Sequence, residues 1–309
     1  MLGRVVRNGR VEAVHDGSVA IVDGSGAVIA SHGDIASGYF IRSSAKPFQA
    51  LVSQRFGANV HGEQLAVAGA SHSALPQHID IIEQMLAEVG LSDADLQTPE
   101  AWPSNAEARD TYVRAGAEVP RRIWHNCSGQ HATMLRACVA SGLPTDAYLD
   151  PAHPLQQSMA AMVRDVVGED LGPAGVDGCG APVIPTSTRG LATAYAKFAT
   201  WDEMGEIYDA YRDHPVLIGD EGKVDGILNA SLGTAAKVGA EACLGVAFRE
   251  LGIGVGVKVA DGGERARGAA MVGVLDYLGL LSTELESQLL EPTLGGGKAV
   301  GRIEPVLSL

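Results

Sequence analysis

Runs that read as β-strands lie at both ends of this chain, and helical spacing fills the stretch between them; that arrangement limits the fold more than any other feature. At the amino end, Val11 to Val14, Ser18 to Val22 and Ala27 to Ser31 are short apolar-rich runs broken at Gly17 and Gly24-Ser25-Gly26. They read as an antiparallel hairpin region leading into Tyr39-Phe40-Ile41. Towards the carboxyl end, Leu244 to Phe248 and Ile253 to Val259 read as paired strands joined near Glu250-Leu251-Gly252. The expectation is one sheet built from both ends with a helical insert, an α/β (mixed α+β) fold with a central mixed sheet. It forms one domain over 1–309, divisible into a sheet lobe (1–60 with 230–309) and a helical middle (61–229).

The helices are read from spacing. Ile79, Ile82, Met85, Leu86 and Val89 share one face of a helix over Leu75 to Val89, which Gly90 stops. Similar patterns predict helices at Phe48 to Arg55, His131 to Cys138, Leu155 to Val167, Leu191 to Phe198, Glu264 to Leu278 and Thr283 to Leu290. Another is expected over Asp202 to Arg212, opened by the capping pattern Thr200-x-x-Glu203. Ser92 to Ala115 reads as polar and irregular apart from Trp102.

Charge narrows the function. The net charge is −14 over 309 residues, which opposes binding to phosphate backbones or anionic lipid, so neither nucleic acid nor membrane is expected as a partner. No stretch approaches the roughly 20 apolar residues that cross a bilayer, and Met1-Leu-Gly-Arg-Val-Val-Arg7 lacks a signal-type apolar core. Four widely spaced cysteines, Cys127, Cys138, Cys179 and Cys243, do not form a disulfide framework. The expectation is a cytoplasmic protein with reduced thiols.

Four segments can carry chemistry. In Arg42-Ser43-Ser44-Ala45-Lys46-Pro47 a helix beginning at Ser43 sets a hydroxyl and an amine on one face of its first turn. A desolvated lysine can activate a serine there, and the helix mouth favours a developing anion. Ala70-Ser71-His72-Ser73 ends an apolar run and can line a site, or simply be a serine-rich turn. His125-Asn126-Cys127-Ser128-Gly129-Gln130-His131 precedes a helix, which favours thiolate at Cys127. Cys179, in Asp177-Gly178-Cys179-Gly180, has a similar setting, although the spacing matches no closed zinc site. Lys258, leaving a strand into Asp261-Gly262, can reach a site at the strand end or be an ordinary edge lysine.

Together these segments, in this order and with Lys237-Val238-Gly239-Ala240-Glu241, resemble the rhizobial-type L-asparaginases, the asparaginase II family. The resemblance implies a fold like that of serine β-lactamases and glutaminases. It implies hydrolysis of L-asparagine to L-aspartate and ammonia, and a homodimer. On it, Ser43 is the nucleophile, Lys46 its base, and Ser71 completes the network. Arg42, Gln130, His131, Asp177 and Lys258 match substrate surroundings, and Cys127 and Cys179 match metal surroundings. The family usually has lysine at the position of Gln130, where it joins both cysteines around zinc; a neutral amide is a poor ligand. Zinc is therefore an optional group here, and no cofactor is required. Two alternatives stay open: a serine amide hydrolase of other specificity (glutamine, D-peptide or β-lactam), and a non-catalytic relative that binds a metabolite or metal.

Overall fold

The alternation Ile253-Gly254-Val255-Gly256-Val257 puts branched side chains on one face of a strand and bare backbone on the other, and the fold is built on that difference. A computed structural model describes residues 1–220 and 222–309. Strands β1 (Gly3–Arg7), β2 (Arg10–His15), β3 (Gly17–Asp23), β4 (Val28–His32) and β5 (Tyr39–Phe40) lead to a 3-10 turn at Arg42–Ala45 and helix α1 (Lys46–Arg55). Helices α2 (Gly62–Gly69), α3 (Pro76–Ala87), α4 (Ala106–Arg114), α5 (Ser128–Ser141) and α6 (Pro154–Val167) follow. Short strands β6 (Gly175–Val176), β7 (Pro182–Val183) and β8 (Pro185–Thr186) precede α7 (Thr188–Thr200), α8 (Gly205–Asp213), α9 (Pro215–Gly219) and α10 (Val224–Leu232). The last elements are β9 (Ala235–Gly239), β10 (Cys243–Phe248), β11 (Ile253–Val259), α11 (Ala266–Tyr277), α12 (Thr283–Leu289), β12 (Pro292–Gly295) and β13 (Lys298–Pro305).

The strands of the two ends do combine, in two large sheets rather than one. The five-stranded sheet runs β4-β3-β11-β10-β9 and the four-stranded sheet β12-β13-β1-β2. Where mixed pairing was expected, every pairing in both is antiparallel. Between the sheets lies α11, packed on β1 and β13 on one side and on β11 on the other. All residues from Ala266 to Leu275 are buried, as a helix covered on both sides requires. The mixed α/β class is thus the class observed, with helices on both faces of a sheet and a helical region alongside.

The glycine face of β11 receives α7, which comes from the stretch assigned to the helical middle. A Cβ on Gly254 would lie 2.1 Å from Ala196 N and 2.2 Å from Ala192 O, so helix backbone rests directly on strand backbone. Ala192 and Ala196, both buried, are small enough to allow it. Gly254→Ala should therefore destabilise the protein by about 1–3 kcal/mol, the usual range for overpacking, while Val255→Ala on the other face leaves a cavity instead. Chemical denaturation checks this, and an unchanged midpoint for Gly254→Ala contradicts the packing.

The helical region has α5 at its centre, touching α1, α2 and α3, and every residue from Ser128 to Cys138 is buried. Gly142, at φ 66°, closes it in the left-handed conformation. Two expectations differ locally. Thr200 does not open a helix; it ends α7, and its hydroxyl bonds Ala196 O at 2.9 Å, so a short 3-10 turn at Asp202–Met204 precedes α8. The segment read as irregular contains α4, which buries only Ala108. Among the described residues, no helix is long and apolar enough to cross a membrane.

Candidate active site

Ser43 sits in the 3-10 turn that runs into α1, and Lys46 is the first residue of that helix. The turn is held from several directions. Ser44 Oγ donates to Lys237 O on β9 at 3.1 Å, and Tyr195 OH on α7 donates to Ser44 O at 3.0 Å. The preceding residue, Arg42, adopts φ 52°, a left-handed conformation that costs a non-glycine residue about 1–2 kcal/mol. Its Nε anchors on Asp177 Oδ1 at 2.8 Å. Sheet, helix and loop thus fix the turn, the rigidity that a reactive constellation needs.

Lys46 is 1% exposed. Its ammonium donates to Ala70 O at 2.5 Å, Ser71 Oγ at 3.2 Å and Cys127 Sγ at 3.3 Å. No hydrogen bond joins Ser43 Oγ to Lys46 Nζ. Ser43 and Ser71 nevertheless line one open hollow of about 260 Å3 together with Asn126, Lys223 and Arg267. Ser43 also borders a narrower hollow of about 10 Å3, lined by Arg42, Lys46, Gln49, Gln130, Asp177 and Cys179 among others.

The remaining expected residues divide. Cys127 and Cys179 pack together and both are free thiols. Hydrogen bonding from the Cys179 thiol, with the Lys46 ammonium nearby, holds Cys127 well below the usual thiol range, and Cys179 moves up correspondingly. Gln130 donates to Gln49 Oε1. His131 lies behind the site, fully buried, with Nδ1 on Tyr148 OH at 2.8 Å. Lys258 lines a different hollow from the two serines. Its ammonium donates to Glu241 O at 2.5 Å and Val259 O at 2.7 Å, and it borders a separate hollow with Tyr39, Ser18 and Asp34. Its strand, β11, is the central one of the five, with β10 between it and β9, the strand on which the Ser43 turn packs.

The lysine that does approach is Lys237 on β9. It is completely buried, donating to Asp225 Oδ2 at 3.2 Å and Val238 O at 3.0 Å. Burial pushes its amine down to about 8, Asp225 holds it up, and Lys46 pushes it down again. The sequence signal was present: a single charge inside the small apolar run Ala235-Ala236-Lys237-Val238-Gly239. Nothing in that run says which way its side chain points.

A family model described as L-asparaginase II matches residues 4–305. The chain belongs to the L-asparaginase II family. It is accordingly an amidohydrolase acting on a small-molecule amide. No curated protein matches it in sequence. Among solved structures, a protein called Mglu in its native form is similar over 91% of this chain and 70% of its own, with TM-score 0.46 and 14% identity. A β-lactamase from Mycobacterium bovis matches over 84% and 94%, with TM-score 0.45 and 15% identity. A Bacillus glutaminase matches over 85% and 91%, with TM-score 0.46 and 10% identity.

The zinc that this L-asparaginase II resemblance implies meets an incomplete donor set. Even a catalytic zinc site takes three protein ligands, and among the described residues no three His, Cys, Asp or Glu side chains converge. Gln130, three residues after Cys127, is tied to Gln49, and the cation beside Cys127 Sγ is the Lys46 ammonium. The residues present do not fit the ion.

Two histidines beside the site of this L-asparaginase II protein make its stability depend on pH. His72 Nε2 bonds Ser128 Oγ at 2.9 Å, and that hydroxyl donates onward to Ile123 O at 2.6 Å. His72 Nδ1 accepts from Ala74 N, so the ring is neutral with its proton on Nε2. Burial, with His78 adding to it, holds His72 well below the usual histidine value, and burial pushes His131 from 6.5 down to about 3. Over that window the unfolded chain binds protons that the fold refuses. Stability from these burials is complete above about pH 6.5 and declines as pH falls towards about 3. Urea midpoints taken from about pH 7.5 down to about pH 5 should decrease steadily; a flat series contradicts the neutral assignment.

Proposed function

We propose that the protein hydrolyses the side-chain amide of L-asparagine to L-aspartate and ammonia, with Ser43 as nucleophile and Lys46 and Ser71 moving the proton. The observation that carries this reading is the buried Lys46 ammonium hydrogen-bonded to Ser71 Oγ at 3.2 Å, beside a hollow that Ser71 shares with Ser43. A serine hydroxyl is a weak nucleophile until a base takes its proton. In the proposed relay Lys46 acts in its neutral form, its ammonium having first released one proton to solvent: the amine then takes the proton of Ser71 while Ser71 takes that of Ser43. Ser43 Oγ then bonds to the amide carbon, and main-chain N–H groups at the turn hold the oxyanion. The C–N bond breaks as the relay returns a proton to the departing ammonia, and water releases L-aspartate from the acyl-enzyme by the reverse path. No step passes through a metal.

One observation favours a second reading. Lys46 Nζ bonds Ser71 Oγ and not Ser43 Oγ, so Ser71 can itself be the nucleophile, with Ser43 holding the substrate. Trapping the acyl-enzyme and locating the modified serine by mass spectrometry separates the two. Substrate choice is tested by ammonia release from L-asparagine, L-glutamine and a D-amino-acid peptide amide, with a chromogenic β-lactam alongside. L-Asparagine should be turned over fastest. An enzyme that ignores L-asparagine but hydrolyses another member of the panel keeps the amidohydrolase class and loses the asparaginase reading. Tight asparagine binding with no product from any substrate points to a non-catalytic relative.

A further inference from the structure

The narrow hollow that Ser43 borders with Arg42 and Asp177 measures about 10 Å3, at the ~10–15 Å3 that one water molecule needs. Its charged groups also answer each other. Arg42 Nε lies 2.8 Å from Asp177 Oδ1, which accepts Gly178 N–H at 2.7 Å as well. The open hollow in front, at about 260 Å3, has room for a small solute, and its far wall carries Lys223, Arg267, Glu264 and Glu291. Two cations and two anions thus line one space together with both serines.

Both cations are fixed in place. Arg267 is 7% exposed; Nη1 donates to Gly239 O at 3.3 Å and Nε to Glu264 O at 3.4 Å, while Nη2 pairs with the Glu264 carboxylate at 3.1 Å. A guanidinium held at several points keeps its planar fork oriented. Lys223 Nζ pairs with Asp220 Oδ2 at 3.1 Å and bonds Ser73 Oγ at 3.1 Å. It also lies 3.5 Å from Ser71 O, which sets the ammonium beside the serine network.

We propose that this wall reads the charged head of an α-amino acid: Lys223 and Arg267 take the α-carboxylate, and Glu264 and Glu291 take the α-ammonium. The proposal rests on Ser43 and Ser71 receiving the side-chain amide, as proposed above. Charge-assisted pairs of this kind orient a short zwitterion so that its amide, rather than its carboxylate, meets the serines.

The test compares L-asparagine with its α-methyl ester, which lacks the carboxylate charge, on the wild type, Lys223→Gln and Arg267→Gln. Losing one ionic hydrogen bond should raise KM for L-asparagine about tenfold, well beyond any fall in kcat. The ester should be poor for the wild type and little worse for the variants. Equal losses on both substrates, or no loss on L-asparagine, overturn the proposal. If Arg267→Gln does not fold, the half-exposed Lys223→Gln decides alone. Calorimetry with L-aspartate separates this idea from the catalytic one. Should the wild type release no ammonia, L-aspartate binding that Lys223→Gln weakens about tenfold still upholds the head-group site. Absent binding, or equal binding by both proteins, removes it.

Discussion

Ser43→Ala should lower kcat for ammonia release from L-asparagine on the order of 10^4-fold or more, the loss seen when an enzyme's serine nucleophile is removed. The fold should not notice. Ser43 is only partly buried, and among the described residues its hydroxyl makes no hydrogen bond, so stability should change within about 0.5 kcal/mol. Separating activity from stability in this way distinguishes a catalytic hydroxyl from a structural one. Ser71→Ala makes the informative partner, because it removes the acceptor 3.2 Å from Lys46 Nζ. If Ser43 is the nucleophile, Ser71→Ala slows both acylation and deacylation yet still forms an acyl-enzyme on Ser43. Full activity in Ser43→Ala, with none in Ser71→Ala, would transfer the nucleophile to Ser71.

Asp225→Ala should produce the largest loss of stability. Lys237 and Asp225 are both completely buried and lie 3.2 Å apart. The carboxylate also accepts Val238 N at 3.1 Å and Gly226 N at 3.2 Å. Removing one partner leaves an uncompensated buried charge, which typically costs about 3–5 kcal/mol, or a melting temperature lower by on the order of 10 °C in a chain of this size. Adding Lys237→Met to Asp225→Ala should recover part of that loss, since the orphaned charge is then gone. A double variant as unstable as the sum of the singles denies that the two act as a pair. Lys237 adds a pH signature. Its amine titrates near 8 in the fold against an ordinary 10.5, so the unfolded chain holds the extra proton between those values. The lysine's own contribution to stability is therefore full above about pH 10.5 and is lost as pH falls to about 8.

The frame was legible in the sequence wherever burial imposed a simple period. The Gly–Val alternation of β11 and the spacing of Ile79, Ile82, Met85 and Leu86 in α3 were enough to place those elements. Helix α4 was missed because it buries little beyond Ala108 and so has no apolar face to read. Strands β1 and β13 were missed although Asn8-Gly9 and Gly296-Gly297 turn each against a local partner, β2 and β12; their half-exposed residues lack a clean apolar alternation, and their pairing with each other has no local signal. At the site, the local motifs named residues that the fold does connect: Lys46 Nζ reaches Ser71 and Cys127, Cys127 packs on Cys179, and Ser43 shares a hollow with Ser71. The two strand lysines were not separable. Lys258 and Lys237 both sit among small apolar residues, and only the sheet order, with β9 at the edge under the Ser43 turn, decides which one turns towards Lys46. The wall of Lys223 and Arg267 comes from two distant helical regions with no motif between them, so only the folded chain brings it opposite the serines.

The pairing of β1 with β13 sets Arg4 against Glu304, and ribosomes deliver these two residues 300 positions apart. Until the final strand emerges, the first carries an unpaired edge that nothing local can satisfy. The four-stranded sheet must therefore be among the last parts to form during synthesis, and closure over so long a loop is slow.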